Sequence, residues 1–181
     1  SEMRENLNQF GFGQDLKMQW INNPTGRIID SPKLYDIDKA SLGYGYSLTS
    51  NMLQIARAYT VFANDGIMIE PRILINIKSD KVRVLSKSNA SFILDSLRET
   101  VLDGTASNLK NERVEIAGKT GTSEKYIEGV GYASEKYISS FASIFPYNNP
   151  KFIMIVTIDE PDPNKYFGGD VSAPCLLYTS P

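Results

Sequence analysis

Two apolar runs, Tyr137 to Phe145 and Lys151 to Asp159, constrain this chain more than anything else in it. Both are dense in Ile, Val, Phe and Met, the composition of buried strands. Only Pro146-Tyr147-Asn148-Asn149-Pro150 joins them, and parallel strands need a crossover of about a dozen residues or more, so the pair is antiparallel. Ahead of them, Val114 and Ile116 alternate with Arg113 and Glu115, the period of a half-buried strand, and lead through Ala117 into Gly118-Lys119-Thr120-Gly121-Thr122. The glycines interrupt that strand. A glycine in a strand weakens it and marks a place where something approaches the backbone closely. The lysine ammonium, the threonine hydroxyls and exposed N–H groups make either a compact anion-recognition surface or an ordinary edge strand with a solvated lysine. These five residues alone leave both readings open.

The preceding residues supply helices. Met3, Leu7 and Phe10 have helical spacing, and Gly11-Phe12-Gly13 ends that helix. Residues 14–40, rich in Asn, Pro, Asp and Gly, predict a long loop with a turn at Asn22-Asn23-Pro24-Thr25-Gly26. A loop of that length is usually functional or poorly ordered, and Trp20 either anchors it or touches a partner. Asn51 with Gln54 predicts a capping box. The helix it opens carries the stripe Met52, Ile55, Ala56, Tyr59, Phe62 and Ala63 and stops at Asn64-Asp65-Gly66. Ile67 to Ile77 predicts a strand, with Pro71 at an edge or bulge, and Val82 to Leu85 pairs back across Ser79-Asp80. A second helix, capped by Ser88 or Asn89, presents Phe92, Ile93, Leu97 and Val101 and stops at Gly104. Helices before a three-strand meander make an α+β fold, an antiparallel sheet with packed helices.

Composition removes several function classes. The 181 residues carry a net charge of −2, which suggests neither a nucleic-acid binder nor a basic membrane-surface binder. There is no histidine, so imidazole zinc sites and Ser-His-Asp hydrolysis are excluded. The single cysteine, Cys175, excludes an internal disulfide and a multi-cysteine metal site. No metal or other cofactor is expected. No apolar run approaches bilayer-spanning length.

A phosphate-binding P-loop requires a glycine five residues before the Gly-Lys pair, where this chain has Arg113, and a helix after the lysine, where strand character continues. Gly11-Phe12-Gly13 lacks the third glycine of a dinucleotide fingerprint and follows no strand. Lys119-Thr120-Gly121 instead matches the K-T-G of penicillin-binding proteins and serine β-lactamases. Further landmarks occur in the order of that family: Phe10-Gly11-Phe12-Gly13, Gly43-Tyr44-Gly45-Tyr46-Ser47 with Leu53 to Tyr59, Gly104-Thr105-Ala106, Ser140-Phe141 with Pro146, and Tyr166-Phe167-Gly168-Gly169 with Ala173-Pro174. The chain resembles the C-terminal half of the transpeptidase domain of class B penicillin-binding proteins, over residues 1–174. Its glycine-tyrosine turn is closer to the division-type branch than to the elongation-type branch.

The resemblance implies a penicillin-binding/serine β-lactamase-like fold and a peptidoglycan D,D-transpeptidase. In the family a serine attacks the penultimate D-Ala carbonyl of a stem peptide, and the amine of a second strand resolves the acyl-enzyme into a cross-link. β-Lactams acylate the same serine. By the match, Lys119 supplies positive potential for the substrate carboxylate and for proton transfer. Thr120 and Thr122 hydrogen-bond that carboxylate, and the Thr122 N–H is an oxyanion donor. Gly121 lets the substrate lie beside the strand, and Gly118 leaves room beneath it. Expected partners are stem peptides, β-lactams and division or elongation proteins. The expected location is the outer, periplasmic face of the bacterial inner membrane, with no membrane segment in this chain. Strict alternation puts Lys119 and Gly121 on one face and Thr120 and Thr122 on the other, so one site uses both only at the strand's edge.

The family's Ser-x-x-Lys nucleophile motif and its Ser-x-Asn motif both precede the FGFG turn, and a match to neither is expected at any serine of this chain. The nucleophile is therefore expected to lie before residue 1, and this chain alone is expected to be inactive. Residues 175–181 read as an off-pattern tail, such as a shifted reading frame leaves, with no role for Cys175. A β-lactam-sensing or catalytically silent penicillin-binding module is the alternative, and a structural fragment whose lysine strand has no ligand is a third reading. Glu160-Pro161-Asp162-Pro163 reads as a solvated loop rather than an acid/base pair. Tyr44, Tyr46 and Tyr166 read as packing residues, and Lys125 and Lys136 as surface charges flanking a loop at 127–135.

Overall fold

A polar side chain, Gln54, ties together the first of the two units into which the chain divides, Ser1–Lys87 and Ser88–Pro181. The computed structural model describes residues 2–16, 18, 23–29 and 35–179. Gln54 lies in α3 (Met52–Ala63), opened by the predicted capping box. The Gln54 N–H donates to Asn51 Oδ1 at 2.8 Å, and the Asn51 N–H donates back to Gln54 Oε1 at 3.1 Å. The fully buried amide also donates to the carbonyls of Gln14 (2.9 Å) and Thr25 (2.7 Å). One turn on, buried Arg57 donates to the Gly11 carbonyl and pairs with Glu70 at 3.1 Å. The buried face of α3 is therefore Gln54, Arg57, Ala58 and Val61, not the predicted stripe, of which Met52 is 53% exposed and the rest half-buried. Apolar spacing misses this face because polar side chains are buried where hydrogen bonds and an ion pair offset their desolvation.

The half-buried stripe has its own work. Phe62 packs on Phe10 (centroids 5.8 Å apart) and on Tyr59 (5.6 Å), holding the turn that ends α1 (Glu2–Gln9). Gly11 sits at φ +83°, and a Cβ there would strike the Arg57 guanidinium, so the turn needs glycine on both counts. Residues 14–40, expected as loop, contain β1 (Arg27–Ile28) and the start of α2 (Asp36–Gly43); β1 pairs antiparallel with β2 (Leu48–Thr49). Trp20 and Asn22 lie outside the described residues. The strand expected to reach Ile77 stops early, as β3 (Ile67–Ile69), and pairs antiparallel with β4 (Lys81–Arg83). Pro71 has no N–H for a ladder, and Arg72 curls the next residues into a turn by donating to the carbonyls of Ile75 and Ile77.

The second unit is the meander. α4 (Lys87–Leu102) starts before the expected caps Ser88 and Asn89 and buries Ala90, Leu97 and Val101. Phe92, expected on that face, is 72% exposed: two residues past Ala90 it has turned about 200° around the helix. After a 3-10 turn at Ser107–Leu109 come β5 (Ala117–Ile127), β6 (Gly131–Phe145) and β7 (Phe152–Asp159), antiparallel in that order. The lead-in at 113–116 is not strand. α5 (Gly168–Thr179), which the sequence reading did not foresee, packs on the sheet and extends into the expected tail as far as Thr179. Its Ala173 and Leu176 join Val101, Ala106, Leu109, Ile116, Phe141 and Phe145 in one core. The Phe141 ring fills the space a Gly118 Cβ would need, 2.6 Å from its tip.

β5 and β6 outrun β7. Past a register shift at Glu124/Lys125 they pair from Lys125↔Ala133 to Ile127↔Gly131, whereas β7 pairs with β6 only from Ile138 onward. The expected loop at 127–135 is thus largely the end of a two-stranded arm. Its base is held by charge: Lys125 reaches Asp159 and Glu160, each at 2.8 Å, and Lys136 reaches Glu160 at 3.1 Å. These lysines are paired rather than merely solvated. Hydrogen bonds from Lys125, then Lys136, hold the Glu160 carboxyl below its ordinary range. Hydrogen bonds to Asp159, then Glu160, hold the Lys125 ammonium above its own.

Two outcomes are expected from these contacts. In thermal unfolding, Phe141→Ala costs about 3–5 kcal/mol and Phe92→Ala no more than about 0.5 kcal/mol; equal losses would refute the assigned core. The Glu160 contribution is present above the ordinary carboxylate pKa and disappears as pH falls through the depressed one. The Lys125 contribution is present below the ordinary lysine pKa and disappears as pH rises through the raised one. NMR signals of Tyr126 to Tyr132 should therefore hold near neutrality and broaden or shift on acidification to roughly pH 3. Signals unchanged across that range would show that the ion pairs do not fix the arm.

Candidate active site

β5 is an edge strand among the described residues, pairing with β6 on one side only. Its register sets Lys119 opposite Ala142, Thr120 opposite Phe141, Gly121 opposite Ser140 and Thr122 opposite Ser139. The free edge is the one place where both sides of the alternation are reachable, as the sequence reading required.

The side facing α5 is knit to the helix start. The Thr122 hydroxyl accepts the Gly168 N–H at 3.0 Å, and the Thr120 and Thr105 hydroxyls share a hydrogen bond of 2.6 Å. Asn108 donates to the Gly169 carbonyl at 2.8 Å, and Ser139 donates to the Tyr166 carbonyl. The backbones approach so closely that a Cβ on Gly168 would lie 2.5 Å from the Ser140 carbonyl oxygen and 2.6 Å from that of Gly121, and one on Gly169 would strike the Thr105 carbonyl. Beside this junction Tyr137 and Tyr166 stack at 3.8 Å, and Tyr166 meets the exposed ring of Phe167 at 4.6 Å. Tyr44 lies edge-on to Tyr46, 5.5 Å away.

On the opposite side Lys119 is exposed, and its ammonium donates to the Thr120 carbonyl at 3.0 Å. A Cβ on Gly121 would meet the Ser140 hydroxyl at 2.6 Å, so the room made by that glycine is taken by a hydroxyl. The edge is an open ledge. A cavity of about 360 Å³ lies elsewhere, at the Ala117 end of the sheet among Val114, Ile116, Phe145, Pro146, Phe152 and Leu176.

Chemically, the ledge offers an ammonium, hydroxyls and edge N–H groups, a set suited to a carboxylate. Neither threonine hydroxyl is hydrogen-bonded to a base, so the ledge is equipped to bind and polarise rather than to attack. Thr105, Asn108, Ser139, Ser140, Gly168 and Gly169 join Lys119, Thr120, Gly121 and Thr122 here. Sequence reading met most of them as landmarks without a role, since a hydroxyl or glycine signals its partner only once the fold is known. One Ser-x-x-Lys string does occur, at Ser107-Asn108-Leu109-Lys110, which corrects the expectation that no serine of the chain matches the motif. It forms the 3-10 turn, with Ser107 and Lys110 exposed and Leu109 in the core. It follows the FGFG turn, contrary to the family's order. Among the described residues no group of three or more His, Cys, Asp or Glu side chains could hold a metal ion.

Residues 1–178 match the family model of the penicillin-binding protein transpeptidase domain. The chain is 36% identical to the peptidoglycan D,D-transpeptidase FtsI of Buchnera aphidicola over 180 residues, covering 96% of this chain and 31% of that protein. It is 34% identical to a probable peptidoglycan D,D-transpeptidase, PbpC, of Pseudomonas aeruginosa, covering 94% and 30% respectively. It therefore spans about a third of the length of these curated relatives. Among solved structures, the transpeptidase domain of Burkholderia pseudomallei penicillin-binding protein 3 is similar with a TM-score of 0.81 at 29% identity, covering 99% of this chain and 58% of that one. Penicillin-binding protein 3 of Mycobacterium tuberculosis, solved with aztreonam, is similar with a TM-score of 0.83 at 25% identity, covering 97% and 45%. With its meander, its lysine-bearing edge and the glycines that seat α5, this chain belongs to the penicillin-binding protein transpeptidase domain family.

Proposed function

We propose that residues 1–174 are the C-terminal part of the catalytic domain of a peptidoglycan D,D-transpeptidase that cross-links stem peptides through a serine acyl-enzyme. The observation that carries the reading is Lys119-Thr120-Gly121-Thr122 on the free edge of β5, in a chain whose relatives bear that activity in their names. An extended peptide laid along the edge meets backbone N–H and C=O groups, and its terminal carboxylate meets the ammonium and hydroxyls. Lys119 supplies the positive potential, Thr120 and Thr122 the carboxylate contacts, the Thr122 N–H an oxyanion donor, and Gly121 the close approach. For Thr120 and Thr122 this means exchanging the present partners, Thr105 and Gly168, or sharing them.

The acylated serine and its base come from outside these residues, so the chain alone does not acylate. β-Lactams, one of which occupies the aztreonam-bound neighbour, acylate the same serine in the full-length protein. Among the described residues no helix is long and apolar enough to cross a membrane. The proposed location, on the outer face of the inner membrane, rests on an anchor contributed elsewhere in the protein.

The test is fluorescent-penicillin labelling of the full-length protein that carries this chain. Wild type should label covalently, and Lys119→Ala should label more slowly by about 10²–10³ with its circular dichroism unchanged. Absence of labelling in the wild type would sink the transpeptidase reading, and a wild-type rate in the lysine variant would remove Lys119 from it.

A further inference from the structure

The β5–β6 arm carries a feature that the lysine ledge does not use. Tyr126 and Tyr132 are register partners across its ladder, with rings edge-on at 5.5 Å, and remain 64% and 50% exposed; Val130 at the tip is 73% exposed. β7 ends short of this stretch, so among the described strands no third one pairs beside it, and the tyrosines lie on its more exposed face. An unburied aromatic pair adds little to a core, and a rigid amphipathic tyrosine pair is a common means of binding a partner with an apolar face and a polar rim. The arm is also held in place, since Lys125 and Lys136 pin its base to Asp159 and Glu160.

We infer that Tyr126 and Tyr132 form a saccharide platform that holds the glycan strand to which a stem peptide is attached. The inference rests on the reading of the lysine ledge given above. Tyr126 lies four residues beyond Thr122 on the same strand and on the same side of its alternation, roughly 13 Å along it, so the platform follows the Thr122 side of the ledge. A stem peptide is tethered to its sugar chain, and a peptide end seated at Lys119 leaves that chain within reach of the arm. A pyranose ring presents an apolar C–H face with hydroxyls around its rim. The C–H face suits the tyrosine rings, and the hydroxyls suit the tyrosine O–H groups and the carboxylates of Glu124 and Glu128 on β5 and beside it. The carboxylates around the tip count against an anionic partner.

The test compares the full-length protein with its Tyr126→Ala/Tyr132→Ala variant and with Tyr126→Trp/Tyr132→Trp. Three readouts are taken: binding to neutral β-1,4-linked N-acetylglucosamine oligomers, KM for peptide-bearing glycan strands against free stem peptide, and fluorescent-penicillin acylation. The alanine pair should weaken glycan binding and raise KM for peptide-bearing strands by about tenfold. Free-peptide turnover and penicillin acylation should stay at wild-type values, and the tryptophan pair should restore the first two readouts. Unchanged glycan binding in the alanine pair overturns the platform, as does equal loss on free peptide, which would mark the tyrosines as structural. A growth defect with glycan binding intact overturns it in favour of a protein partner. A wild-type protein that takes no penicillin sinks the ledge reading, whereas a tyrosine-dependent loss of glycan binding still supports the platform.

Discussion

The second unit depends on how closely α5 can approach the sheet. Gly168 and Gly169 let the helix start lie against the backbones of β5 and β6 and of the turn at Thr105, where no side chain would fit. That approach lets the Gly168 N–H reach Thr122, Asn108 reach the Gly169 carbonyl, and Ala173 and Leu176 reach the core. The threonines of the lysine strand therefore have an oriented neighbour on one side while the strand's other edge stays open. A bulkier residue at either glycine would push the helix away and loosen the elements that orient the edge.

Burial in this chain is shared between apolar and polar means. Around Phe141 it is achieved mainly with carbon, the ring taking the space vacated by Gly118 and buried Ser139 and Ser143 lying beside it on β6. Around α3 it is achieved with partnered polar groups, Gln54 making three hydrogen bonds through its side-chain amide and Arg57 pairing with Glu70 while its Nε stays without a partner. The first arrangement tolerates little change in volume, and the second tolerates little change in hydrogen-bonding pattern.

That division explains what the sequence made legible. The β6–β7 pair was readable because both strands are apolar-rich and the connection is too short for any other pairing. The capping box at Asn51 was readable because its chemistry is local. The buried face of α3 was hidden because Gln54 and Arg57 look like surface residues until their partners, distant in sequence, are known. The arm at 125–133 was hidden because exposure alternates along it while residue type does not, Lys125 standing on the half-buried side and Tyr126 and Tyr132 on the exposed one. α5 was missed because two glycines open it and Pro174 lies within it, both ordinarily signs of a break. At the site, Lys119, Thr120, Gly121 and Thr122 were found by motif, whereas Thr105, Ser140 and Gly168 became meaningful only as neighbours in space.

The Gln54 amide repays a last look at its atoms. Both hydrogens of its nitrogen point at carbonyl oxygens, of Gln14 and Thr25, and its oxygen takes the Asn51 N–H. Hydrolysis to a carboxylate, a change of a single heavy atom, would replace two donors by a lone-pair-bearing oxygen facing two others, and would leave a charge in a site with no solvent contact. Shape and volume would scarcely differ, yet every contact at that nitrogen would turn from attraction to repulsion. At this position chemical ageing of one amide would release the loop that a hydrophobic substitution census would never associate with it.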